Sequence, residues 1–153
     1  MVLSDTVTED PMPESLKNDE RLRALCLSGS LPLNEYIKML TDAGFGTIEI
    51  RAKRPYRVLD PGHYNTDELI YLESVEVAAI KDPMPENGPC VFTGKTAIYY
   101  GDDEYFDDGQ GHTLMQNSPL AVCDKTAGAF AKLHRNDVYI SESTFYYDCG
   151  GCC

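Results

Sequence analysis

No apolar run in this 153-residue sequence approaches the roughly 20 residues that a membrane-crossing helix needs. The opening "MVLSDTVTEDPMPESLKNDE" has neither a basic stretch nor an apolar core, so it does not read as a secretory signal. Cations are scarce. Thirteen Lys and Arg stand against 25 Asp and Glu, a formal charge of −12. That balance disfavours a polyanion, because nucleic-acid affinity rests on cations that neutralise phosphates. Neither a nucleic acid nor a membrane is expected as a partner. Catalytic signatures are missing as well: no GxGxxG opens a helix after a strand, and there is no P-loop, HExxH or GxSxG. Histidine is limited to His63, His112 and His134. The first two fall in turns and read as solvated; His134 falls near a helix C-terminus, where the dipole suits it. Nothing in the spacing selects a nucleophile pair such as Cys123 with His112 or His134.

What is present is a globular composition. Forty-two per cent of the residues are apolar, and a chain of this length buries about 70% of its unfolded surface. It therefore does not need disulfides to fold, and the expected compartment is the cytoplasm, where thiols stay reduced. Six cysteines in such a compartment point to metal, metalloid or redox chemistry more than to a disulfide framework. They are Cys26, Cys90, Cys123, Cys149, Cys152 and Cys153. The acidic stretch "GDDEYFDD" (Gly101–Asp108) reads as a solvated turn; its spacing is not that of a calcium-binding EF-hand loop.

Patterning gives a coarse element order. "MVLSDTV" reads as a strand and "TEDPMPESLKNDE" as a loop broken by Pro11 and Pro13. Helical spacing through Leu22, Leu25 and Cys26 predicts a helix over about Glu20–Leu27. A second helix follows in "PLNEYIKMLTDAGF", with Leu33, Tyr36, Ile37 and Leu40 on one face, Pro32 in its first turn and Gly44 at its C-cap. "TIEIRAKR" and "LIYLESVEVAAIK" read as strands, and Cys90–Gly101 as a single strand with Gly94 as a bulge. "TLMQNSPLAVCD" supplies one or two short strands. "KTAGAFAKLHRN" predicts a helix with Asp124 as N-cap and Ala127, Phe130, Ala131 and His134 on one face. "VYISESTFYYD" is a last strand or extended tail. The order β-α-α-β-β-β-β-α-β predicts an α+β fold: a mostly antiparallel sheet with helices packed on one side.

The chain closes on "DCGGCC". The C-x-x-C-C spacing lets thiolates face one soft ion, and the glycines let the backbone wrap closely. Three sulfurs leave zinc one ligand short unless His or another Cys joins; they suit a trigonal, thiophilic centre such as arsenite or Cu(I). An exposed tail without a role in the folded state is the plain alternative. For Cys26, Cys90 and Cys123 the plain alternative is a small buried apolar side chain.

Several segments resemble a known family. "SDTVTEDPMPESLKNDERLRALCLSGSL" (Ser4–Leu31), "EYIKMLTDAGFGTIEI" (Glu35–Ile50) and "YLESVEVAAIK" (Tyr71–Lys81) are similar to the C-terminal part of arsenite S-adenosylmethionine methyltransferases and their relatives. "GPC" (Gly88–Cys90), "DDGQGHTL" (Asp107–Leu114) and "AVCDKT" (Ala121–Thr126) resemble the relatives' version of that domain. The resemblance implies that residues 1–18 are a strand and linker left from a preceding methyltransferase domain, residues 19–146 an α+β C-terminal domain, and residues 147–153 a Cys-rich tail. It implies S-adenosylmethionine in the full-length family but none in this chain, which would be inactive as a fragment. The methyltransferase domain would be a partner in cis or trans. The ligand would be trivalent arsenic, or another soft metal such as zinc, held by thiolates. Cys26, in "LCLSGS", matches the family cysteine after the linker helix. The other usual position falls on Thr96 in "KTAIYY", a departure that Cys90 and Cys123 are placed to make good. A soft-metal binding module that works alone, and a structural domain with incidental cysteines, remain the alternatives.

Overall fold

The computed structural model describes residues 1–145. Its elements run β1 (Val2–Thr8), α1 (Glu14–Lys17), α2 (Glu20–Ala24), β2 (Leu31–Pro32), α3 (Leu33–Asp42), β3 (Thr47–Leu59), α4 (Pro61–Tyr64), β4 (Ile70–Ile80), β5 (Cys90–Phe92), β6 (Thr96–Tyr99), β7 (Tyr105–Asp107), β8 (Thr113–Met115), β9 (Leu120–Ala121), α5 (Asp124–Lys132) and β10 (Val138–Ile140). The class is α+β, and the sheets are mostly antiparallel. A five-stranded sheet has the order β2-β1-β4-β3-β5, with β1–β2 and β3–β5 parallel. A three-stranded sheet, β10-β6-β9, and a ribbon, β7-β8, complete the frame.

Three apolar clusters hold these pieces. In the first, α3 lays Tyr36 and Leu40 on Val7, Ile48, Ile50, Val75, Val77 and Ala79. Period-2 spacing in β3 and β4 sends those side chains to one face, and 3.6-residue spacing in α3 answers them. In the second, Leu16 of α1 and Leu22 of α2 join Met12, Leu27, Leu59 and Leu72. In the third, α5 sets Ala127 and Phe130 on Ala97, Tyr99, Leu114 and Val122. The helices are thus shared among three clusters. Residues 1–18 supply β1, which pairs with β4 over seven positions, and Leu16 to the second cluster.

Four local expectations need correction. Part of the first proline-containing loop is the short helix α1, which opens directly after Pro13. Strand β3 runs five residues beyond Arg54, crossing two register shifts, because β4 continues as its partner through Leu59↔Ile70. Cys90–Gly101 is not one bulged strand. β5 joins the first sheet and β6 the second, and Gly94 turns between them at φ +83°. Only glycine adopts that conformation without steric cost. Finally, Cys123, not Asp124, is the N-cap of α5, and Ala131 and His134 are exposed. The helix stops at Lys132, and His134 sits beyond it with φ +50°.

Candidate functional site

Cys26 is placed by the end of α2. Asp19 caps the start of that helix: its carboxylate accepts the N–H groups of Arg21 (2.8 Å) and Leu22 (3.2 Å) and pairs with the Arg21 guanidinium at 2.9 Å. The Arg21 hydrogen bond, aided by the two backbone N–H groups and opposed by desolvation, pulls its pKa down to about 2. At the other end the Leu27 N–H donates to the Leu22 carbonyl (2.8 Å) and the Cys26 N–H to the Arg23 carbonyl (3.0 Å). Leu22 and Leu27 are both fully buried in one cluster. These bonds and that contact define a Schellman cap, with Cys26 at the position that helices usually give to glycine. Its φ is +58° and its thiol is exposed. Helical spacing had placed Leu25 and Cys26 on the buried face with Leu22. The helix stops one turn earlier, Leu25 is 47% exposed, and Leu27 takes the inward place after the reversal.

Cys90 opens β5. It is half-buried, lies opposite Thr47 of β3, and donates its N–H to the Gly46 carbonyl at 2.8 Å.

Cys123 is 4% exposed and sits in a chain of polar groups that spacing alone did not reveal. Its Sγ lies 3.2 Å from Thr126 Oγ1, which lies 3.2 Å from His112 Nε2; His112 Nδ1 lies 2.7 Å from Asp108 Oδ2. The Asp108 side chain is almost fully buried. Burial pushes its pKa up, but the N–H groups of Gln110 and His112 and the His112 ring outweigh this and hold it below the ordinary carboxylate value. An ionised carboxylate only accepts, so His112 donates to it from Nδ1. The Thr126 hydroxyl links the His112 ring to the Cys123 thiol. The Phe130 ring stands edge-on to the imidazole at 5.8 Å between centroids. His112 is therefore a wedged, oriented ring and not a freely solvated one. The signal in the sequence was Asp108 four residues before His112, in a tight glycine turn; the partner Thr126 comes from another element.

The three described cysteines are all free thiols. They lie at the end of α2, the start of β5 and the N-cap of α5. Among the described residues no group of three or more His, Cys, Asp or Glu side chains is arranged to hold a metal ion. Cys149, Cys152 and Cys153 lie outside the described residues. Among the described residues no helix is long and apolar enough to cross a membrane.

No family model matches the chain. Among solved structures, the chain is similar to the X-ray crystal structure of CrArsM, an arsenic(III) S-adenosylmethionine methyltransferase from Chlamydomonas reinhardtii. The TM-score is 0.46 and the identity 19%, with 96% of this chain and 51% of that chain covered. This chain thus spans about half the length of that protein. No residue role follows from a similarity at this level.

Proposed function

We propose that this chain is the thiol-bearing, substrate-side domain of a protein related to arsenite methyltransferases, and that Cys26 is its principal ligand for trivalent arsenic. One observation carries the reading: an exposed cysteine occupies the left-handed position of a Schellman cap, where glycine is free of strain. A side chain kept there costs stability, and backbone strain of this kind concentrates where a side chain is used. The segment resemblance of "LCLSGS" supports the same residue.

The described residues do not close a soft-ion site by themselves. Cys26 is therefore one ligand of a shared site. Its companions come from Cys149, Cys152 and Cys153, or from a methyltransferase domain supplied in cis or trans. Thiols condense with arsenous acid, each As–S bond releasing one water, and thiolate softness selects the metalloid over hard cations. No methyl transfer is assigned to this chain alone.

Native mass spectrometry of the reduced full chain with arsenite tests the reading. One arsenic per chain, weakened strongly by Cys26→Ser, is expected. No uptake at micromolar arsenite would leave a structural domain with incidental cysteines.

A further inference from the structure

The sheet face that carries the first cluster is covered over only part of its length. Tyr71, Glu73, Val75 and Val77 of β4 share that face, because alternate strand residues point the same way. Helix α3 packs on Val75 and Val77. Beyond them its first turn, through Leu33 and Asn34, becomes one wall of a cavity of about 680 Å³. Tyr71 and its cross-strand partner Val58 line this cavity together with Tyr56. All three side chains are exposed. They form an apolar surface that continues the core outward.

The C-terminal segment arrives at the rim of this surface. The Ser141 N–H donates to the Thr96 carbonyl and the Phe145 N–H to the Thr93 carbonyl, so the segment runs back from β6 toward the first sheet. Phe145 packs against the first cluster, and Lys53 Nζ stands 5.3 Å from the centre of its ring. Lys53 lies opposite Val75, pairs with Glu73 at 2.5 Å and lines the cavity. The backbone of Phe145 is left-handed, with φ +39°. A bulky residue keeps that conformation only where its surroundings fix it, so the ring is an anchor. Eight residues follow it in the sequence, YYDCGGCC. Extended, they span up to about 27 Å. Val58 lies five residues beyond Lys53 along β3, about 16 Å away. The first two are tyrosines, whose apolar bodies and polar tips suit a surface that is half in water.

We propose that residues 146–153 dock on this surface, with Tyr146 and Tyr147 covering Val58, Tyr71 and Tyr56. The cavity is then the seat of the chain's own tail. This concerns the arsenic-free protein and does not rest on the role given to Cys26. The tail's thiols serve as the probe. In the full chain, Val58→Cys places a thiol on the surface. Arg54→Cys places one within equal reach on the opposite face, since its partner Ser74 falls between Glu73 and Val75. Each variant is incubated with oxidised glutathione without arsenite, and the disulfides are mapped by peptide mass spectrometry. Val58→Cys should capture Cys149, Cys152 or Cys153 of the same chain with a yield roughly fivefold or more above that of Arg54→Cys, because docking raises the effective concentration. Adding Tyr146→Ser and Tyr147→Ser should remove most of that excess. Equal capture at both positions, capture at neither, or an excess untouched by the serine substitutions would overturn the proposal. A Val58→Cys disulfide that joins two chains would also overturn it, by giving the surface to a second copy.

Discussion

At the residue scale the central fact is the backbone of Cys26. A left-handed conformation costs a side-chain-bearing residue about 1–2 kcal/mol, while replacing it by glycine costs about 0.5–1 kcal/mol in chain entropy. The balance favours glycine. Cys26→Gly should therefore raise stability by about 0.5–1 kcal/mol in urea unfolding while weakening arsenite uptake. A variant that loses stability instead would show that the thiol is held by contacts that the cap does not explain. The Cys123 chain behaves in the opposite way. Thr126→Val removes the hydroxyl that bridges His112 Nε2 and the Cys123 thiol. Leaving buried polar groups unpaired should cost about 1–3 kcal/mol, read as a fall in denaturation midpoint at unchanged slope. Of these two sites, the first was half legible in the sequence. "LCLSGS" marked Cys26, but helical spacing put it on the buried face. The second was not legible, because Asp108, His112, Thr126 and Cys123 meet through tertiary packing of a turn against α5.

At the element scale, α2 is a five-residue helix fixed at both ends, and its caps set where the Cys26 thiol stands. Such a short helix has no stability of its own. Asp19 is the N-cap, and its depressed pKa gives the sign of the pH dependence. The carboxylate's contribution is fully present above the ordinary Asp value near 3.9. It is lost as pH falls through the folded value of about 2. The stability difference between the native chain and Asp19→Ala should therefore be constant near neutral pH and shrink below about pH 4. A difference that persists unchanged at pH 2 would contradict the assignment. Gly94 divides β5 from β6 at positive φ, and a Cβ there would meet the Thr144 hydroxyl, which donates to the Gly94 carbonyl at 2.9 Å. Gly94→Ala should destabilise by about 1–3 kcal/mol. A continuous apolar-alternating run gave no hint that the strand changes sheets there, since periodicity reports which side chains point inward and not which sheet receives them.

At the scale of the whole molecule, the α+β class followed from the order of elements, because runs of strands unbroken by helices cannot build a parallel α/β sheet. The partition into three apolar clusters did not follow, as it depends on which strands cross between sheets. The acidic surface also has a local exception: in β3, Arg51, Lys53, Arg54 and Arg57 gather four of the chain's 13 cations into seven residues. The three described thiols lie at three separate element boundaries. The proposed metalloid role of Cys26 therefore rests on ligands other than Cys90 and Cys123. The most direct measurement is an arsenite titration of the reduced full chain beside Cys26→Ser, read by native mass spectrometry. The predicted result is one arsenic per chain, with apparent affinity lowered by roughly tenfold or more in the variant, as loss of one coordinating group commonly does. Equal uptake by both proteins would contradict the role assigned to Cys26.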